Sequence, residues 1–208
     1  AQLPTVNLIG LGADDPRLSA DLSAFRSLLD GQAALGAILS HCTWQELLRA
    51  PAAHLNLVFG RGLELARVME DRFGIPYRVL DYPYGLTGAQ AVWDALSDVF
   101  GLDFSQARER FLRCTAQGLA PVYSYLQALY GMPAALVATA ARARGLARFL
   151  THELGLELVC QAEREAVADM EDFFDQVRAT EAALLFGSSF EAELADALEI
   201  PLFRCDYP

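Results

Sequence analysis

No apolar run of about 18 residues occurs in this chain of 208, so it offers no membrane-spanning helix. No basic start leading into an apolar stretch reads as a secretory signal. Cysteine is scarce: Cys42, Cys114, Cys160 and Cys205 stand far apart, with no CxxC or other ligand spacing. That pattern argues against a disulfide frame and reads as the reduced thiols of a cytoplasmic protein. Positive charge is short as well. Sixteen basic residues face 27 carboxylates, for a net charge of −11 and a pI of about 4.6. Such a chain repels phosphate backbones and anionic lipid, so neither nucleic acid nor membrane is an expected partner. The sequence has no Walker loop, HExxH or GxSxG, and no segment of low complexity.

What is present is apolar and alternating. Hydrophobic residues make up 53% of the chain, enough for one or two cores. Strand-length apolar runs fall at Val6–Leu11, Ala37–Leu39, Leu55–Phe59, Arg78–Leu80, Ala134–Ala138, Glu157–Cys160, Ala183–Phe186 and Leu202–Arg204. Segments of helical period separate them: Ser19–Leu29, Leu63–Phe73, Ala89–Phe100, Phe104–Tyr130, Ala143–Leu154, Met170–Thr180 and Phe190–Leu198. On Leu63–Phe73 the apolar stripe reads Leu65, Val68, Met69 and Phe73, and Thr43-Trp-Gln-Glu46 has the form of a capping box. Strand and helix in alternation predict an α/β fold of parallel sheets with helices on both faces. Residues 104–130 lack a strand and contain Pro121, so they are expected to form a kinked helical connector. The expected division is a first lobe at 1–103, the connector at 104–130 and a second lobe at 131–208. Starting without Met and ending on Pro just after a strand, the chain reads as a fragment of a longer protein.

One phrase occurs twice. "LNLVFGRGLELARVMEDRFGIP" leads into Asp81-Tyr82-Pro83, and "AALLFGSSFEAELADALEIP" leads into Asp206-Tyr207-Pro208. Each copy is an apolar strand, Phe-Gly, a tight turn, an amphipathic helix with a Glu four residues after the Gly, then Ile-Pro and a second strand. Gly60 and Gly187 permit the turn, while Pro76 and Pro201 stop the helices. One strand–helix–strand unit is written once per lobe, which makes two related Rossmann-like lobes.

In open parallel sheets, ligands bind beyond the carboxyl ends of the strands, so the turns there carry the candidates. The carboxyl-end turns of the two lobes are expected to face a common groove. "GLGADD" at Gly10–Asp15 begins like a dinucleotide fingerprint but lacks its third Gly, and its two Asp would repel a pyrophosphate. "GSS", with Ser188, sits where a helix N-terminus can donate backbone N–H groups. Cys42, beside His41 and just after a strand, is the one weak candidate metal ligand. Arg142 and Arg144 follow the strand Ala134–Ala138; either holds an anion or is a solvated first-turn charge.

Taken in order, "VNLIG", "LNLVFGRGLELARVMEDRFGIPY", "PYGLTG", "GLARFLTHELGLELV" and "LFGSSFEAELADALEIPLFRCDYP" resemble the nitrogenase component 1 superfamily. That group contains the molybdenum-iron protein subunits, the scaffold proteins of cofactor assembly and the dark-operative protochlorophyllide reductase subunits. The resemblance implies two consecutive domains of the three that surround a metallocluster, without the N-terminal domain that carries most of the cluster cysteines. Where catalytic α-type subunits have His-Cys-Tyr-Arg, with the Cys ligating the cofactor, this chain has Phe59, Gly60, Arg61 and Gly62. The α-type Gly-Gly-Leu-Arg loop becomes Thr139, Ala140, Ala141 and Arg142, of which only the Arg carries over. The β-type Gly-Asp-Pro-Asp loop is not kept at Ala138–Ala141, although "IPLFRCDYP" is near the β-type ending. These departures point to a scaffold subunit for iron-molybdenum-type cofactor biosynthesis. The expected cofactor-binding residues are Arg142, Arg61, Thr139 and Ser188, with Arg142 exposed and no catalytic residue. The isolated fragment is expected to hold no cofactor, and the full-length complex a metallocluster or iron-sulfur precursor. Implied partners are a homologous subunit, in a heterodimer or heterotetramer, and an ATP-dependent iron protein as electron donor. The alternatives are a reductase subunit of nitrogenase or protochlorophyllide reductase type, and a two-lobed small-molecule binding module.

Overall fold

The computed structural model of the chain describes residues 3–12, 15–167 and 169–206. It forms two compact units, Ala1–Arg113 and Cys114–Pro208.

In the first unit the order is β1 (Thr5–Ile9), α1 (Leu18–Leu29), β2 (Ala34–Ile38), α2 (Trp44–Arg49), β3 (Leu55–Phe59), α3 (Leu63–Phe73), β4 (Tyr77–Leu80) and α4 (Gly85–Phe100). The strands pair in parallel in the order β2-β1-β3-β4. Both faces of β1 and β3 are buried, which is why those strands read as continuous apolar runs. Leu8, Leu55, Leu57 and Phe59 pack against α1 and α4, with Phe25, Tyr82 and Trp93 among the partners. The opposite core is smaller: Ile9, Ala37 and Val58 meet Ala66 and Met69 of α3.

Two asparagines are buried in this second core. Asn7 and Asn56 face each other across β1 and β3. Asn7 donates to the Asn56 side-chain carbonyl at 2.9 Å and to the Ala50 carbonyl at 3.0 Å. Its own Oδ1 accepts the Ala37 N–H at 2.9 Å, at the point where the β1–β2 register shifts. Asn7 therefore satisfies a backbone donor that the irregular ladder leaves over. Asn7→Ala should cost about 2–3 kcal/mol, because it leaves buried donors and acceptors unpaired. Asn7→Ala equal to wild type in a urea melt would contradict this role.

The second unit contains β5 (Pro133–Ala138), α7 (Ala140–Arg148), β6 (Glu157–Glu163), α8 (Met170–Arg178), β7 (Leu184–Gly187), α9 (Ala192–Ala197) and β8 (Leu202–Arg204). Its strand order, β6-β5-β7-β8, repeats that of the first unit. Even the register shift recurs, between Ala134 and Ala135 on β5. One difference separates the repeats. Phe59 pairs with Leu80, four residues after Pro76, whereas Phe186 pairs with Phe203, two residues after Pro201. The slip is even, so every side chain keeps its face.

In chain order α4 is followed by α5 (Ser105–Leu119) and α6 (Tyr123–Gln127), separated by a 3-10 turn at Ala120–Val122 that contains Pro121. This is the break the Pro was expected to make. The first half of α5 is anchored on the first unit: Ala107 is buried, Phe111 meets Trp93 edge-on at 5.6 Å, and Arg110 reaches Asp30 at 2.8 Å. The boundary between the two units thus falls inside α5.

One pattern reading fails. Of the expected α3 stripe, only Met69 is buried; Leu65, Val68 and Phe73 are exposed. Small Ala66 lies against the sheet instead, so α3 sits close and turns its larger apolar groups outward.

Candidate functional site

In the first unit, the crossover through α1 leaves β1 toward β2, and the crossover through α3 leaves β3 toward β4. The strand order therefore reverses between β1 and β3, where this architecture opens its crevice. Both turns there are glycine-built. Gly10 has φ +95°, and a Cβ on it would lie 2.1 Å from the Phe59 carbonyl oxygen and 2.5 Å from that of Arg61. Gly62 has φ +87°, and its Cβ would lie 2.4 Å from the Ile9 side chain. The two turns interlock backbone to backbone, with Arg61 exposed on the outer one. The helix α3 begins at Gly62 with no side-chain cap, so its first N–H groups are not taken by a side chain at the N-cap. Of the fingerprint-like stretch, Ala13 and Asp14 lie outside the described residues. Asp15 accepts the Arg17 N–H at 2.9 Å and pairs with its guanidinium at 3.1 Å, as a local turn. Cys42 lies half-buried against the Asn-bearing core.

The second unit uses the same edge differently. The Thr139 N–H and hydroxyl both donate to Asp206, and the Ala140 N–H donates to Glu165 at 2.7 Å. The donors at the start of α7 are thus occupied by carboxylates of the chain itself. After β7, Ser188 forms a capping box with Glu191: the Glu accepts the Ser188 N–H at 2.6 Å and its hydroxyl at 3.0 Å. Arg164, arriving after β6, grips the same carboxylate with two bonds of 2.9 and 3.0 Å. It also donates to the Ser188 hydroxyl at 3.2 Å and lies over the Phe190 ring at 5.7 Å. Glu191 is 0% exposed. Gly187 is required beside it, since a Cβ there would meet the Glu191 carboxylate at 2.6 Å.

Burial pushes the Glu191 carboxyl up, but the Arg164 and Ser188 hydrogen bonds and the Arg164 charge outweigh it. The carboxyl is held below its ordinary value of 4.5. A depressed carboxylate contributes stability above its unfolded value and loses it as pH falls through its folded value. The second unit should therefore weaken as pH drops below about 4.5, and a Glu191→Gln variant should lose that part of the acid dependence. An unchanged acid slope would separate Glu191 from acid unfolding.

Of the residues expected from sequence, the fold brings Thr139, Ser188 and Arg142 to one edge of the second sheet, and Arg61 and Cys42 to that of the first. Arg142 corrects its expectation: it is 7% exposed, on the third residue of α7, rather than solvated. Sequence reasoning missed Arg164, Glu165, Glu191 and Asp206. The Ser188-x-x-Glu191 spacing was a legible capping signal. The contact from Arg164 to Glu191, 27 positions apart, leaves no local signal.

An iron-sulfur cluster needs convergent thiolates. Here Cys114 is exposed on α5, Cys160 is buried in β6 with burial pushing its thiol pKa up, and the Cys205 sulfur lies 3.7 Å from the Gly187 carbonyl. Among the described residues no group of three or more His, Cys, Asp or Glu is placed to hold a metal ion. These side chains do not by themselves form a cluster ligand set. Among the described residues no helix is long and apolar enough to cross a membrane.

The family model for nitrogenase component 1 type oxidoreductases matches residues 1–208. The chain belongs to that family. No curated protein matches the sequence. Among solved structures, nitrogenase Cp1 at pH 6.5 superposes with a TM-score of 0.76 at 18% identity, over 100% of this chain and 54% of that one. This nitrogenase-family chain therefore spans about half the length of the nitrogenase subunit it matches. The SBP FpvC from Pseudomonas aeruginosa in complex with Mn2+ gives 0.55 at 13% identity, over 99% and 88% of the two chains. The laminin-binding adhesin (Lmb) from Streptococcus agalactiae gives 0.54 at 9%, over 97% and 88%. At these identities the likenesses show the fold: two Rossmann-like α/β units.

Proposed function

We propose that this chain is part of a scaffold subunit of the nitrogenase component 1 family, one that holds an iron-molybdenum-type cofactor or its precursor for assembly. The observation that carries the reading is the β3–α3 turn. Where the resemblance puts a cofactor-ligating Cys in catalytic subunits, this chain has Gly60, between Phe59 and Arg61. Positive φ angles at Gly60 and Gly62, and the contact with Gly10, fit that turn to backbone and arginine contacts and not to thiolate ligation. The ligand is then cargo, held by N–H groups, by Arg61 and by a homologous partner subunit, with an ATP-dependent iron protein supplying electrons. Thr139 and Ser188 already bond to Asp206 and Glu191 of the chain itself, so their part is to keep that edge rigid.

The test is metal retention by the full-length complex, loaded anaerobically. Arg61→Ala should lower retained iron several-fold with no change in melting temperature, because Arg61 is exposed. Full retention in Arg61→Ala would remove the turn from the site. The likeness to FpvC favours a two-lobed binding module as second reading, but the lack of a three-ligand group among the described residues weighs against metal as its ligand.

A further inference from the structure

We infer that the 3-10 turn Arg164–Ala166, which leaves β6, is a strap that closes the crevice of the second unit. By strand order that crevice lies between β5 and β7, where the crossovers through α7 and α9 diverge. Strand β6 is not a neighbour of β7, because β5 stands between them. Paired strands lie about 4.8 Å apart, so roughly 10 Å separates the end of β6 from the end of β7. The strand β6 stays in the sheet to its last residue, Glu163, opposite Ala138. The next side chain, Arg164, nevertheless bonds Glu191 and Ser188 beyond β7. It therefore passes over the end of β5. The residue after it, Glu165, accepts the Ala140 N–H at 2.7 Å, beyond β5 itself. Consecutive side chains thus grip both walls of one crevice.

The two grips differ in kind. Arg164 meets Glu191 fork to fork, with its own side chain 14% exposed and the carboxylate fully buried. Such charge-assisted, two-point pairs are the strong ones, and Phe190 lies against the guanidinium as well. Glu165 is exposed, so its end of the strap stands at the surface. The first unit has the same strand order, yet its matching segment folds back. After β2, the Leu39 N–H donates to Leu8 of the adjoining β1, and the His41 N–H to Ile38. Thr43 is then taken up in its own capping box with Glu46. One repeat presents its glycine turns and Arg61, while the other straps its crevice shut. On the scaffold reading, cargo then meets the first unit's crevice alone. The strap itself does not depend on that reading.

Trypsin reads the latch directly, because it cuts after Arg164 only when that guanidinium has left Glu191. The chain should be cut there slowly. Glu191→Gln keeps an acceptor for Ser188 but loses the charge, so it should be cut there about tenfold faster or more. Glu165→Ala tests the other wall. Its Ala140 amide should exchange with deuterium several-fold faster, while the Leu136 and Leu185 amides of β5 and β7 keep wild-type protection. Equal cutting after Arg164 in wild type and Glu191→Gln would overturn the strap. So would unchanged exchange at Ala140, or a rise spread evenly through β5 and β7, which would make the segment a part of the core. None of these readouts involves cargo, so they stand or fall apart from metal retention in Arg61→Ala.

Discussion

Gly10→Ala should leave the first unit unfolded or close to it. The substitution would force a side chain into φ +95° and drive its Cβ to 2.1 and 2.5 Å from two backbone carbonyl oxygens. Neither oxygen can retreat, since both belong to the β3–α3 turn whose Gly62 packs on Ile9. The expected cost exceeds about 4 kcal/mol, a large part of the 5–15 kcal/mol that stabilises a typical domain. The comparison that isolates the clash is Gly101→Ala. Gly101 also has a positive φ, +66°, but nothing lies within 4 Å of its would-be Cβ. That variant should lose only about 1–2 kcal/mol, the left-handed penalty alone. Urea melts followed by circular dichroism and by buried Trp93 would read both. Equal midpoints for the two variants would refute the interlocked turns.

Arg164→Ala is expected to have the next largest effect, about 3–5 kcal/mol, confined to the second unit. Removing the guanidinium strands the Glu191 carboxylate at 0% exposure, with Ser188 as its remaining partner among the described residues. The pH dependence gives the diagnosis. Without Arg164 the foremost influence that lowers the Glu191 carboxyl is gone, so the variant's carboxyl should take up its proton at higher pH than in wild type. Its deficit against wild type should shrink as pH falls and Glu191 takes up a proton. Adding Glu191→Gln to Arg164→Ala should recover most of the loss, since a neutral amide still accepts from Ser188. A double variant no better than Arg164→Ala would mean that packing against Phe190, not the charge pair, is what matters.

The fold was legible because its signals are local. Strands buried on both faces leave apolar runs, Ile-Pro after a helix fixes where each crossover ends, and the repeated phrase matches two sheets of one strand order. The α3 stripe misled because amphipathicity does not say which apolar residues face inward. Ala66 took the sheet side, and the larger side chains were left outside. The site was half legible. The positions of Arg61, Thr139, Ser188 and Arg142 followed from strand ends and glycine turns. Their environment did not, because Asp206 reaches Thr139 across 67 positions and Arg164 reaches Glu191 across 27. The same repeat glutamate even has two fates: Glu64 pairs with Arg67 in solvent, while Glu191 is sealed beneath Arg164. The Ser188-x-x-Glu191 capping spacing sets the second copy apart from Arg61-x-x-Glu64, but nothing in either phrase announces Arg164.

The most direct measurement on the scaffold reading is a transfer assay. The full-length complex containing this chain is loaded anaerobically with cofactor precursor, repurified, and mixed with a cofactor-free catalytic component 1. The account predicts that reductase activity appears in the acceptor, while the loaded complex supplied with the ATP-dependent iron protein alone reduces nothing. ATP-dependent reduction of acetylene or protochlorophyllide by the complex itself, with no transfer to the acceptor, would contradict it and make this chain part of a reductase.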